Sequence, residues 1–451
     1  MAVFFAPSAL LPDGWQQDVT ITTDDAGNIT AIAANSQPGE ATRLAGAVIP
    51  AIANLHSHAF QRAMAGLAEV AGDPQDSFWT WRDLMYRMVA RLTPEQVGDI
   101  ATHLYIEMLK GGYSQVAEFH YLHHDPQGRP YADDAMVQQL IHAADRTGIG
   151  QTLLPVLYTW SGFGAQPASA GQRRFIQHTE AYLEQQQRVA RACRAHPRLN
   201  HGVCFHSLRA VSEAQMHAVL AASDASLPVH LHIAEQEKEV NDCMTWSGER
   251  PVNWLFNRFN VDRRWCLIHA THLAADEIAQ LAASLAVAGL CPTTEANLGD
   301  GIFPAVEYVA RGGRWGVGSD SHVSLSALEE LRWLEYGQRL RDRRRNRIAL
   351  PDAPSVGDLL WQQAAQGGAQ ACGVSMGALA VGLRADWLVL QQDALLASVT
   401  PAARLNRWLF AGHTQQIRDV FVAGKQVIDQ GHHAEEQAAA QRFVAAVRAL
   451  Q

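Results

Sequence analysis

Short apolar runs alternate with longer stretches of helical periodicity along most of this chain. Between about residues 50 and 370, runs of strand length fall at 49–55, 115–119, 152–157, 202–205, 228–233, 265–269, 286–290 and 314–318. One stretch between them shows the helical logic clearly. Thr93-Pro94-Glu95-Gln96 offers an N-cap, a proline in the first turn and a capping-box glutamine. Val97, Ile100, Leu104 and Met108 then recur at helical spacing, and Gly111-Gly112 ends the run. Strands that alternate with helices in this way predict an α/β fold, a parallel (β/α)8 TIM barrel with insertions.

The pattern changes at both ends. The first 49 residues read as short strands with turn signals such as Asp24-Asp25-Ala26-Gly27-Asn28. Beyond about 370, the stretches 382–390 and 420–428 read as strands and a hairpin, and a helix from about 435 to 450 follows. The expected organisation is therefore a catalytic barrel over 50–370, flanked by a small β-domain assembled from 1–49 and 371–451.

The strand ends carry the chemistry. The first run closes on His56-Ser57-His58, and histidines two apart on an extended chain project to one side. Alone this signal is weak in a chain with 20 histidines. Partners follow in order: His230-Leu231-His232 with Glu235, then His269-Ala270-Thr271-His272, then Ser319-Asp320-Ser321-His322. Together they offer three or four imidazoles and a carboxylate to one cation, with a glutamate beside it. That donor set suits Zn²⁺, with Fe²⁺ next. The C-terminal ends of barrel strands are where such barrels place their active sites. Ligands from the first, fifth, sixth and eighth strands would not easily converge in a doubly wound open sheet, the competing fold.

Composition narrows the function. A net charge of −9 argues against nucleic acid as the main partner. The basic run Arg339 to Arg347 has no interleaved aromatics and reads as a solvated helix end or an ion-pair patch. Six cysteines without paired spacing read as reduced thiols of a cytoplasmic protein, with Cys204, Cys266 and Cys291 as core residues. The N-terminal stretch has no basic region ahead of an apolar one, so no signal peptide is expected. No uninterrupted apolar run reaches membrane-spanning length, so no membrane is expected as a partner.

The stretches Asn54-Leu55-His56-Ser57-His58-Ala59-Phe60-Gln61-Arg62-Ala63, Phe205-His206-Ser207-Leu208-Arg209-Ala210 and Thr293-Thr294-Glu295-Ala296-Asn297-Leu298-Gly299-Asp300-Gly301 resemble the amidohydrolase superfamily in its aminohydrolase branch. The resemblance spans nearly the whole chain. It implies metal ligands at His56, His58, His232 and Asp320, and a mononuclear site, since no lysine matches the fourth-strand ligand of binuclear members. It implies a catalytic Glu235, and a His269 that assists rather than binds the metal firmly. Substrate contacts are implied at Gln61, Arg82, Tyr121, His206 and Arg209. A homodimer is the family expectation.

Within that branch the stretches look like those of members that act on N-formimino-L-glutamate in histidine degradation, yielding N-formyl-L-glutamate and ammonia. A divalent metal lowers the pKa of bound water to about 7. Asp320 can accept that water's proton, and Glu235 can carry one to a nitrogen leaving group. His269 can stabilise charge on the tetrahedral intermediate. A substrate with two carboxylates calls for local positive charge. Arg209 is the first candidate for bidentate recognition, and Arg82, read as part of an aromatic loop from Phe78, is the second.

Two rival functions are weighed. A guanine or related heterocycle deaminase would want a base-stacking pocket and no pair of arginines. The branch's nucleobase deaminases also usually carry a Ser-Asn pair after Cys-Pro-Thr, where this chain has Thr294-Glu295-Ala296-Asn297 after Cys291-Pro292-Thr293. A metal-free scaffold protein would lack the ligands, all of which are present. His120, His123 and His124 read as loop residues and are not nominated. His230, His272 and His322 are placed beside the site without a role. Glu295 is either a helix cap or a pocket residue.

Overall fold

The computed structural model describes residues 1–70 and 78–450. The chain begins with β1 (Ala2–Leu11) and β2 (Gly14–Thr23), two ten-residue strands joined in a tight antiparallel hairpin. These are longer than the short strands expected. β3 (Ile29–Ala33), β4 (Thr42–Arg43) and β5 (Ala47–Pro50) follow, and the Asp24–Asn28 turn joins β2 to β3 with Asn28 N–H donating to Asp24 Oδ1 at 2.8 Å.

The barrel comes next. Its strands are β6 (Ile52–Ser57), β7 (Tyr113–His120), β8 (Gly150–Pro155), β9 (Leu199–His201) with β10 (Val203–Ser207), β11 (Val229–Ile233), β12 (Trp265–His269), β13 (Val287–Leu290) and β14 (Arg314–Val317). All pair parallel, in two runs, β6 to β9 and β10 to β14. Single bridges, Leu157 to Phe205 and Ser57 to Asp320, connect the runs and close the circle. The fourth strand is split at Gly202, where a Cβ would lie 2.8 Å from the Pro228 carbonyl oxygen. Eight parallel strands with intervening helices make the (β/α)8 barrel.

The chain then returns to the first sheet with β15 (Trp387–Leu390), β16 (Ile417–Val422) and β17 (Lys425–Ile428), giving the order β17-β16-β15-β5-β1-β2-β3. Terminal segments thus share one mixed sheet. Its own apolar core holds Phe4, Val19, Ile21, Val48, Trp387 and Phe421, with Phe4 edge-on to both Trp387 and Phe421. The helix Glu436–Leu450 ends the described chain.

Two expectations need correction. The run 49–55 is not one strand. Val48 and Ile49 pair antiparallel with β15, whereas Ile52 begins the barrel. The partner changes at Ala51, whose N–H still donates to Asp386 while the Ile52 N–H donates to Gly112. The segment around Arg82 is not a loop but the helix Phe78–Val89, whose apolar Met85 and Val89 are buried.

The helix Pro94–Lys110 forms as read, with a reciprocal Thr93–Gln96 capping box. The basic run is an ion-pair patch at the end of the helix Ala327–Asp342: Arg339 pairs with Glu335, and Arg341 and Arg347 both pair with Asp342. Those two guanidiniums hold the Asp342 carboxyl down at about 2. All six cysteines are free and buried. Among the described residues no helix is long and apolar enough to cross a membrane.

Candidate active site

A break in strand alternation aims the first two histidines. Between Asn54 and Ser57 the β6 register slips against β7, so that three steps along β6 face two along β7. Such a bulge re-aims side chains. Leu55 packs with Cys266, Ile268 and Val287, and the very next residue, His56, also points inward to meet His232. Ser57 turns away, and its hydroxyl donates to the buried Glu118 carboxylate at 2.7 Å. Glu118 also accepts from the Ala59 N–H and the Tyr105 hydroxyl, which pins the chain between the two histidines.

The other strand ends turn sharply. Ala234, His269, Ala270, Asp320 and His322 all hold positive φ, between 47° and 69°. Left-handed non-glycine residues carry strain and persist only where surrounding contacts impose them.

Four side chains converge there. His232 Nε2 lies 3.0 Å from His56 Nε2. Asp320 Oδ1 lies 3.4 Å from His56 Nε2 and 3.3 Å from His58 Nε2. His58 Nδ1 donates to the Phe119 carbonyl and His232 Nδ1 to the His206 carbonyl, each at 2.8 Å. A carbonyl can only accept, so both rings carry the proton on Nδ1 and turn an Nε2 lone pair into the cluster. Burial, together with the neighbouring imidazoles, pushes His56 and His232 well below the ordinary histidine range. Neutral imidazoles with facing lone pairs, beside a carboxylate, repel unless a cation lies among them. The donor set fits a divalent metal.

A second group adjoins it. His269 Nε2 lies 3.6 Å from Glu235 Oε1 and 3.7 Å from Asp320 Oδ2, and its Nδ1 is 3.2 Å from Glu295 Oε1. Burial opposes charge on His269, but Glu235, Glu295 and Asp320 outweigh it and raise the ring to about 10. Burial raises Glu235 to about 7, with His269 opposing it and Asp320 adding to it, and burial also raises Asp300, where Glu235 adds to the rise. Asp300 accepts from the Gln236 amide, and its second oxygen has no partner among the described residues.

These groups open into a cavity of about 560 Å³, mouth included. Gln61, Arg82, Tyr121, His206 and Arg209 all line it, with Glu235, His269 and Asp320 at the base. Gln61 Nε2 donates to the Tyr121 hydroxyl at 2.9 Å. Every residue nominated from the sequence therefore lies in one place.

The residues left without a role separate. His120 is the last residue of β7, not a loop residue, and is buried. His123 and His124 donate to the Val156 and Ile176 carbonyls. His230 is bonded to the Ala371 carbonyl, His272 to that of Asp300, and His322 to Ser319. Sequence reasoning missed Asp300 and Glu118, and left Glu295 undecided. Tyr158, Phe175 and Met85, which also line the cavity, were missed as well. Glu118 was signalled by a polar residue inside an apolar run and Tyr158 by an aromatic just past a strand, whereas Asp300, Phe175 and Met85 carried no such signal.

A parallel barrel with imidazoles and an aspartate at its strand ends defines a metal-dependent hydrolase, and the chain belongs to the amidohydrolase family, whose pattern matches residues 47–427. Residues 1–46 match the N-terminal domain of formimidoylglutamate deiminase HutF. Formimidoylglutamate deiminase of Pseudomonas aeruginosa is 60% identical over 448 residues, 98% of this chain and 98% of its own. The 8-oxoguanine deaminase of the same organism is 28% identical over 365 residues, 77% of this chain and 75% of its own. An amidohydrolase from Brucella melitensis, known as a crystal structure, is 42% identical, covers 100% of both chains and superposes with a TM-score of 0.95.

Proposed function

We propose that this protein hydrolyses the formimino group of N-formimino-L-glutamate, leaving N-formyl-L-glutamate and ammonia, a step of histidine degradation. The observation that carries this reading is 60% identity across 98% of both chains to a formimidoylglutamate deiminase. The cavity supports it independently. Two arginines, Arg82 and Arg209, face a space whose floor holds Glu235, so a molecule with carboxylates at one end and a cationic amidine at the other finds a partner for each.

We assign the metal to His56, His58, His232 and Asp320, as one Zn²⁺ per chain with Fe²⁺ the alternative. A bound divalent ion supplies a water whose pKa is lowered to about 7. Asp320 turns Oδ1 to the histidines and Oδ2 toward His269, so Oδ2 is free to accept the attacking water's proton. His269 Nε2 sits between Asp320 and Glu235, facing the carbon's new oxygen as charge grows there. Glu235 meets the amidine as a carboxylate, takes up a proton from the attacking water, which burial favours, and delivers it to the terminal nitrogen as the C–N bond breaks and ammonia leaves. Gln61, Tyr121 and His206 orient the chain of the substrate. The free thiols of all six cysteines support a cytoplasmic setting.

The test is direct. Zinc-loaded protein incubated with N-formimino-L-glutamate should release ammonia and N-formyl-L-glutamate in equal amounts. Rapid deamination of guanine or 8-oxoguanine, with no turnover of the formimino compound, would sink the reading.

A further inference from the structure

The contact that the proposed chemistry leaves unexplained is the one behind His269. Glu295 is buried, 4% exposed, on the helix Pro292–Leu298 that follows β13. Its backbone N–H donates to the Cys291 carbonyl, and its Oε1 accepts the Cys291 N–H at 2.8 Å. Two bonds to one residue fix the carboxylate in place. The same Oε1 lies 3.2 Å from His269 Nδ1.

We propose that Glu295 is a positioning residue for the reaction, holding the His269 ring with Nδ1–H on its own Oε1 and Nε2 turned to the reacting group. The proposal rests on the deiminase reading for the identity of that group. The geometry rests on this chain alone. A carboxylate can only accept, so the proton on Nδ1 is fixed. A carboxylate behind a histidine sets its tautomer and orientation in this way in other hydrolases. His269 itself holds a left-handed backbone, φ 69°, so its ring is aimed from both ends, by a strained main chain and by a fixed acceptor. Of the two readings of Glu295 the cap is the one seen: it does not line the cavity, and its bond to Cys291 makes the acceptor behind His269 rigid.

This distinguishes glutamine from leucine at position 295. A glutamine oxygen can serve both donors, and the amide cannot flip without leaving the Cys291 N–H unpaired. In zinc-loaded enzyme, Glu295→Leu should lower kcat for N-formimino-L-glutamate about 10- to 100-fold, the range for losing a partner that orients an imidazole. KM and zinc content should hold. Glu295→Gln should recover most of the kcat. In a His269→Ala background neither substitution should lower the residual rate further. Equal damage from Gln and Leu, or losses that add to that of His269→Ala, would overturn the proposal. Should the Leu variant fail to fold, the downfield Nδ1–H proton resonance, identified by its absence in His269→Ala, decides the matter without substrate. It should move in Glu295→Gln, and an unmoved resonance refutes the contact. Because that measurement needs no turnover, it separates this proposal from the deiminase reading, which fails if the wild type releases no ammonia.

Discussion

At the scale of single residues, division of labour follows from what each group touches. Glu235 meets His269 and the cavity but none of the clustered histidine nitrogens at bonding distance. Glu235→Gln should therefore lower kcat by about 10²–10⁴-fold, the usual weight of a general acid–base group, while zinc content stays at the wild-type level. Metal analysis beside steady-state rates checks this. Loss of zinc in that variant would move Glu235 into the ligand set. Arg209 makes a different commitment. Removing a charge-assisted contact to a buried carboxylate costs about 1.5–3 kcal/mol, or roughly 10- to 150-fold in kcat/KM. Arg209→Ala should show that loss on N-formimino-L-glutamate and almost none on a formimino compound without carboxylates. Equal losses on both would mean that the arginine supports the fold rather than the substrate. The histidines and Asp320 were legible because each ends an apolar run. Glu295 and Asp300 were not, because their meaning lies in partners on other elements, His269 and Gln236, which no spacing rule brings together.

At the scale of elements, caps and strand runs were legible where local chemistry decides them. Thr93 and Gln96 close their capping box within four residues, and Trp265 to His269 form a strand with the bounds expected. Failures occurred where tertiary pairing decides. Ile49 and Ile52 lie three residues apart in one apolar run, yet they pair with β15 and β7. Packing of the helix Val356–Cys372 gives a test. A Cβ at Gly367 would lie 1.8 Å from the Trp315 carbonyl oxygen, and one at Gly368 would lie 2.7 Å from that of Ala53. The helix thus rests directly on the backbones of β14, which leads to Asp320, and β6, which carries His56. Alanine is the better helix former by about 1 kcal/mol, but overpacking a close contact costs about 1–3 kcal/mol, and this one is with backbone. Gly367→Ala should therefore lower Tm and reduce activity together. A raised Tm would show that the helix can shift away without cost.

At the scale of the whole molecule, barrel topology was legible because alternating strands and helices leave few ways to bury both faces of each strand, and because the ligands mark one end of the sheet. Closure was less so: the split fourth strand at Gly202 and the single bridge from Ser57 to Asp320 depend on the register of distant segments. That bridge joins the first barrel strand to the last through the residues of the proposed metal site, since Asp320 N–H donates to the His56 carbonyl and His58 N–H to the Asp320 carbonyl. Closure of the barrel and convergence of this cluster are thus coupled. The apo barrel must hold three neutral imidazoles and a carboxylate together with nothing between them, whereas the unfolded chain bears no such cost. A ligand present at a thousandfold its dissociation constant, and bound only by the folded state, adds about 4 kcal/mol of stability. Chelated protein should accordingly lose activity and melt at a lower temperature, and both should return on addition of zinc. His232→Ala should melt near the chelated wild type and respond weakly to zinc. If chelation abolished turnover while Tm stayed the same, the cluster would be a catalytic site with no part in closing the barrel.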